Sequence, residues 1–322
     1  MAGSGEHIKA LLRSHASGDD ASFYGVAAQI AAQEARRGHN RLAGDIKKLI
    51  DSSRARPIAG SVTSIAKPRG DLGDLVTASF PNVGLPDLVG PPQLLALVDQ
   101  VNTEQRQHAA LTKRGFAPAH RLLLEGPPGT GKTMTAAVIA HELGLPLLTV
   151  RLDSLMSKYL GETAGKLRLV FEAVEQQRAV FLFDEFDALG ADRSGNDVGE
   201  ARRVLNSFLV FLEQAGPGSM VIAATNHRSI LDRALFRRFD LVITYGLPNA
   251  EEAEAVMRSR LGRMGRAVDW KKISATSQAI SHADLVKAAE AAAKRALMRG
   301  EEHVTTGDVA EALTARPAAS VA

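Results

Sequence analysis

The chain of 322 residues has no cysteine, which excludes disulfides and thiolate metal sites and sets the cytoplasm as the expected compartment. Aromatic residues are scarce at 5%, with one Trp and three Tyr, and no basic patch is interleaved with them. Nucleic acid is therefore the least favoured partner. Long hydrophobic runs are also missing. The longest, such as 179–183, are strand-sized and far below the ~20 residues that cross a bilayer, so no membrane partner is expected. No apolar secretory core precedes the first charged residues. Net charge is small at +3 but uneven, since residues 1–70 carry eleven Lys/Arg against six Asp/Glu. Such a basic arm suits a nucleic acid, an acidic partner or a membrane surface, and its plainer reading is a solvated helical face.

What is present is an ordinary globular composition, 45% apolar, long enough for two or three compact units. Phe23, Val26, Ala27, Ile30 and Ala31 form one stripe at helical spacing, and Leu42, Ile46, Leu49 and Ile50 a second. Residues 5–53 are thus expected as a small helical bundle. Residues 54–80 are rich in Pro, Gly, Ser and Thr and read as a linker. Strand-like runs then alternate with helical patterns, at 121–125, 147–152, 180–184, 221–225 and 241–245, which predicts an α/β fold with a parallel sheet. From residue 249 the chain is Ala-rich, helical in pattern and without strand signals.

Gly126-Pro127-Pro128-Gly129-Thr130-Gly131-Lys132-Thr133 satisfies GxxxxGK[ST] at every fixed position, between an apolar run at 122–124 and an Ala-rich helical stretch. Glycines let backbone N–H groups turn inward around phosphate oxygens, and the following helix N-terminus adds its positive dipole end. Lys132 is expected against the β- and γ-phosphates of ATP, and the Thr133 hydroxyl on Mg²⁺. The apolar run 179–183 predicts a strand buried on both faces, and it ends in Asp184-Glu185. Ligands of open parallel sheets lie beyond the carboxyl ends of strands, which directs both carboxylates to the phosphate loop. Asp184 suits the metal and Glu185 the base that polarises a water. Asn226, at the tip of the apolar run 221–225, offers an amide to the γ-phosphate or that water.

Taken together, GPPGTGKT, FLFDEFDAL, IAATN, LDRALFRRFD and SHADL resemble the AAA branch of the AAA+ ATPases, from about residue 87 to 313. The resemblance implies a five-stranded parallel sheet in the order 5-1-4-3-2, a C-terminal helical lid and assembly as a homo-oligomer, usually a hexamer. With the patterns above, the resemblance divides the chain into an N-terminal helical docking domain (1–56), a linker (57–80), a large ATPase domain (81–247), a helical lid (248–315) and a tail (316–322). It also implies arginine fingers at Arg237 and Arg238, acting on a neighbour's γ-phosphate; surface ion pairs to Asp232 or Asp240 are the plainer alternative. The segment Asp87-Leu88-Val89-Gly90 resembles the one that frames adenine, and Met134 and Ala283 are carried over as further nucleotide contacts. Where the family usually has Ser-Gly-Ala-Asp-Leu, this chain has Ser281-His282-Ala283-Asp284-Leu285, and His282 is expected as an exposed residue at a helix start.

Lys158-Tyr159-Leu160 follows the second strand run and is similar to the family's pore loop, in which an aromatic grips an extended protein substrate. A helix is expected after it, with Thr163 as N-cap. The implied function is a ring motor that remodels or threads proteins. Two other expectations stand beside it: a nucleotide-regulated ATPase that gates a partner, and a nucleic-acid-stimulated ATPase. The segments MSKYLGETAGKLRLVFEAV and NDVGEARRVLNSFL resemble bacterial AAA ATPases encoded beside subtilisin-like proteases, which makes the expected partner a protease.

Overall fold

The computed structural model describes residues 26, 27, 30, 31, 39, 43–45, 71–156, 160–189, 198–227, 233–273 and 279–316. The chain divides into two compact units, residues 1–66 and 67–322. In the first unit the described positions 26, 27, 30, 31 and 43–45 are helical. Most of the bundle expected over 5–53 lies outside the described residues.

The second unit is built on a six-stranded sheet: β1 (Val76–Ser79), β2 (Arg121–Glu125), β3 (Leu147–Val150), β4 (Val180–Phe183), β5 (Met220–Thr225) and β6 (Leu241–Thr244). Spatial order is β1-β3-β4-β5-β2-β6. The five strands β2 to β6 are mutually parallel and, numbered among themselves, follow the expected 5-1-4-3-2. The sheet nevertheless has six strands rather than five. β1 pairs antiparallel with β3, Val76 opposite Val150 and Ser79 opposite Leu147. It follows a short helix, Asp71–Leu75, so residues 71–79 of the stretch read as linker are structured. Burial of Leu75 and Val76 on the core anchors this edge.

Central strands β4 and β5 are buried along their whole length. Side chains alternate between faces at period two, so each strand feeds two cores. Leu123, Phe181, Phe183, Val221 and Ala223 face one side, packed on helices Leu160–Gln176 and Val198–Gln214. Leu122, Leu124, Leu182, Ile222 and Ala224 face the other, against helices Pro92–Arg106 and Lys132–Leu143. The few aromatics are concentrated on the first face: Phe171, Phe183, Phe186, Phe208 and Phe211 pack ring to ring at centroid separations of 4.6–5.8 Å. Thr163 lies inside the helix Leu160–Gln176 rather than capping it, because the helix begins a turn earlier.

Beyond β6, helices Ala250–Leu261, Trp270–Ile273, His282–Met298 and Thr306–Thr314 enclose a separate core of Leu285, Ala288, Ala289, Ala292, Val309 and Leu313. Alanines allow these helices to approach closely. Three of the starts carry side-chain caps: Asn249 with Glu252, Ser281 with Asp284, and Thr305 with Asp308. Among the described residues, no helix is long and apolar enough to cross a membrane.

Candidate functional site

The parallel strands deliver the polar tips of β2, β4 and β5 to one edge of the sheet. β2 runs into the loop 126–131, and the helix Lys132–Leu143 starts directly from Gly131, whose φ of 102° only glycine adopts without strain. Gly126 has φ 146°, and a Cβ there would sit 2.4 Å from the Tyr245 carbonyl oxygen. Both backbone conformation and space therefore demand glycine. Lys132 is buried, and its Nζ donates to the carbonyls of Gly126 and Pro127 at 2.7 and 2.8 Å. Burial lowers its pKa, while Asp184 and Asp187 oppose that shift. Thr130 braces the loop through Oγ1 to the Pro127 carbonyl, 2.8 Å.

At the end of β4, Asp184 accepts from Thr133 Oγ1 at 2.7 Å and from the Glu185 backbone N–H at 2.9 Å. Two hard oxygen ligands thus meet at the mouth of the loop. Glu185 has φ 51°, a left-handed conformation that costs a non-glycine residue about 1–2 kcal/mol. Such strain at a strand tip re-aims the side chain away from the strand direction. Asp187, a residue sequence reasoning did not single out, accepts from Thr225 Oγ1 at 2.9 Å and from the Asn226 N–H at 3.1 Å. It ties the tip of β5 to the turn after β4. The signal was available: it is the third carboxylate of FLFDEFDAL.

A cleft of about 710 Å³ opens over these groups, between the sheet edge and the C-terminal helices. Of the residues expected at nucleotide, Asp87, Val89, Pro128, Gly129, Gly131, Lys132, Thr133, Met134 and Ala283 line it, together with Asp184, Glu185 and Asn226. Pro127, Thr130 and Gly90 are not on its wall. Helix Ala250–Leu261 adds Val256, Ser259 and Arg260, which carried no motif in the sequence. Arg260 is held by Glu290 at 2.5 Å.

The cleft is closed at the loop by direct contact. The Ala283 N–H donates to the Gly129 carbonyl at 3.0 Å, and a Cβ on Gly129 would lie 2.8 Å from Ser281 Oγ. Gly129 also has φ 74°. Gly129→Ala is therefore expected to push helix His282–Met298 off the loop and to weaken nucleotide binding about tenfold, equivalent to ~1.4 kcal/mol. Titration with a fluorescent ATP analogue reads this directly; unchanged affinity would show that the contact is incidental.

His282 is not the exposed residue expected. It lines the cleft, and both ring nitrogens are shut off from solvent without a hydrogen-bond partner among the described residues. Burial pushes its pKa below the usual value, with Glu252 and the Val89 backbone acting against that shift.

Arg237 and Arg238 stand outside the cleft. Arg237 is exposed, and Arg238 pairs with Glu213, both half-exposed. Asp240 is not their partner: it accepts from Arg121 Nη2 at 2.5 Å and from the backbone N–H groups of His120 and Arg121. Asp232, Lys158 and Tyr159 lie outside the described residues, and Leu160 begins the helix Leu160–Gln176.

The family model described as ATPase family associated with various cellular activities (AAA) matches residues 122–247. The uncharacterized AAA family ATPase y4kL of Sinorhizobium fredii is 33% identical over 312 residues, covering 96% of this chain and 94% of that protein. The proteasome-activating nucleotidase of Pyrococcus furiosus is 35% identical over 243 residues, 72% of this chain and 61% of its own length. The ATP-dependent zinc metalloprotease FtsH 3 of Sphaerobacter thermophilus is 32% identical over 253 residues, 76% of this chain and 52% of that one. The chain thus spans nearly all of the first relative but about half to three-fifths of the other two. Among solved structures, the FIGL-1 AAA domain superposes with a TM-score of 0.62 at 25% identity, covering 76% of this chain and 87% of that one.

Proposed function

We propose a ring-forming motor that threads or remodels proteins, and the premise is the family: this chain belongs to the AAA family of ATPases, binds nucleotide and hydrolyses ATP. The observation that carries the ring is the separation just described. Phosphate loop, acidic pair and Asn226 converge on one cleft, while the two arginines of the RRF element are not among the residues that line it. A guanidinium off the wall of its own pocket supports a role at a neighbour's.

Within the pocket the loop N–H groups and Lys132 hold the β- and γ-phosphates, while Asp87, Val89 and Ala283, which line the cleft, frame the base. Thr133 and Asp184 fit Mg²⁺: their oxygens are hard ligands 2.7 Å apart beside the phosphate cradle. Among the described residues no cluster of three or more His, Cys, Asp or Glu could cage an ion alone. When bound, the metal neutralises charge developing on the phosphate oxygens. Glu185 accepts a proton from the attacking water as the water oxygen bonds to the γ-phosphorus. The bond from that phosphorus to the bridging oxygen breaks, so that ADP leaves and phosphate is released. Asn226, held by Asp187, orients that water or the γ-phosphate. Arg237 and Arg238 of the adjacent subunit stabilise the transferring phosphoryl group.

Relatives named for proteasome activation and ATP-dependent proteolysis support a protein substrate. Lys158-Tyr159-Leu160 would grip it by apolar contact that is indifferent to side-chain identity. Tyr159→Ala is expected to preserve ATP turnover within about twofold while abolishing ATP-dependent unfolding of a tagged substrate. Loss of both activities, or of neither, would contradict the threading role. The same two relatives favour a second reading, in which the nucleotide state gates a partner protease. A protease that co-purifies only with the Glu185→Gln protein, without any unfolding activity, would select it.

A further inference from the structure

The helix Lys132–Leu143 turns an apolar face to the sheet, with Ala136, Val138 and Ile139 fully buried, yet Thr135 beside them is fully buried too. A second hydroxyl lies in the same core. Tyr245, the first residue past β6, is 5% exposed and donates from Oη to Thr135 Oγ1 at 2.6 Å. Thr135 Oγ1 in turn donates to the Gly131 carbonyl at 3.2 Å, which also accepts from the Thr135 N–H at 2.9 Å. Burial pushes the Tyr245 hydroxyl pKa up to about 12, with the Thr135 hydrogen bond opposing that shift, so the phenol keeps its proton to donate. An apolar pair would fill this space without two hydroxyls having to be matched in the core.

Tyr245 bears on the phosphate loop at both ends. Its N–H donates to the Glu125 carbonyl at 2.7 Å, directly before the loop. Its own carbonyl oxygen stands 2.4 Å from where a Cβ on Gly126 would fall. One residue thus braces the loop at its entrance directly and at its exit through Thr135. The exit contact controls a donor. The Gly131 carbonyl and the Lys132 N–H belong to one trans peptide, so they point in opposite directions. Holding that carbonyl along the helix aims the N–H out of the helix N-terminus, where first-turn donors have no partner within the helix and face the loop. A helical Thr divides between two χ1 wells, and the Tyr245 bond selects the one that reaches Gly131.

We propose that Tyr245 and Thr135 are positioning residues for the phosphate cradle, their hydroxyl pair fixing the Gly131–Lys132 peptide so that its N–H is preset for a phosphate oxygen. Neither residue is among those that line the cleft, so both act through that peptide. The inference rests on the nucleotide-site part of the function proposed above, and it adds two residues that lie outside the motif 126–133.

The experiment combines titration with a fluorescent ATP analogue and thermal melting on the same preparations of the full chain. Thr135→Val should weaken binding about fivefold, roughly the value of one hydrogen bond, and lower the melting temperature by stranding the buried Tyr245 hydroxyl. Thr135→Ser, which keeps the hydroxyl, should bind within about twofold of wild type. Tyr245→Phe should weaken binding about twofold alone and add nothing to Thr135→Val, because it acts through that residue. In the double variant Thr135→Val/Tyr245→Phe no hydroxyl is stranded. Its melting temperature should therefore return toward that of wild type while its affinity stays about fivefold down. Affinity that recovers together with the melting temperature, or full affinity in Thr135→Val, would overturn the proposal and reduce the pair to core packing. The double variant keeps the test readable if Thr135→Val alone does not fold. A wild type that binds no nucleotide would overturn the nucleotide reading along with this one, whereas variants that match a binding-competent wild type overturn this one alone.

Discussion

Glu185→Gln is expected to slow ATP turnover about 10²–10⁴-fold while leaving ATP bound, the range typical for loss of a general base. The amide matches the carboxylate in size but takes no proton from water. The groups that hold the triphosphate do not depend on it: Lys132 is anchored by loop carbonyls, and Thr133 is oriented by Asp184. The backbone strain at φ 51° is carried equally by Gln, so the side chain stays aimed. Single-turnover hydrolysis, with bound nucleotide identified after rapid desalting, separates the outcomes. Near wild-type turnover would remove Glu185 from the chemistry, and loss of binding would make it a structural support.

The second large effect concerns Arg237 and Arg238. Replacing both with Ala should lower turnover by up to about 10³–10⁵-fold, the range over which arginine fingers act in phosphoryl transfer. Stability should change little, since Arg237 is exposed and Arg238 makes one partly exposed pair with Glu213, a contact worth about 0–1 kcal/mol. The informative version mixes this protein with Glu185→Gln. Each alone is inactive, but a pocket with an intact Glu185 that borrows arginines from a Glu185→Gln neighbour is complete. Recovered activity on mixing is the expected result; its absence would place the fingers within their own subunit.

Much of this was legible in the chain because the decisive elements are local. The glycines at 126, 129 and 131 announce backbone conformations that other residues resist, and all three have positive φ. The apolar runs before Asp184 and Asn226 are buried along their length, so composition alone identified them. What was misread depends on distant partners. β1 has four residues, two of them hydroxylic, after a Pro- and Gly-rich stretch; it is a strand because β3 offers it an edge. His282 looks like any polar residue at a helix start until the helix docks on the phosphate loop through Ala283 and Gly129. The strain at Glu185 has no local signature either, and although Asp187 is visible as the third carboxylate of FLFDEFDAL, its bridge to β5 exists only once two strand tips meet. Local rules fail here where function imposes its own demands.

The central claim is that each ATP pocket is shared between copies. ATPase activity per chain, measured in Mg·ATP across about three decades of protein concentration alongside the mass distribution of the particles, tests it most directly. The account predicts that activity per chain climbs with the fraction of protein in rings and vanishes on dilution to monomers. Full activity in particles of monomer mass would contradict it.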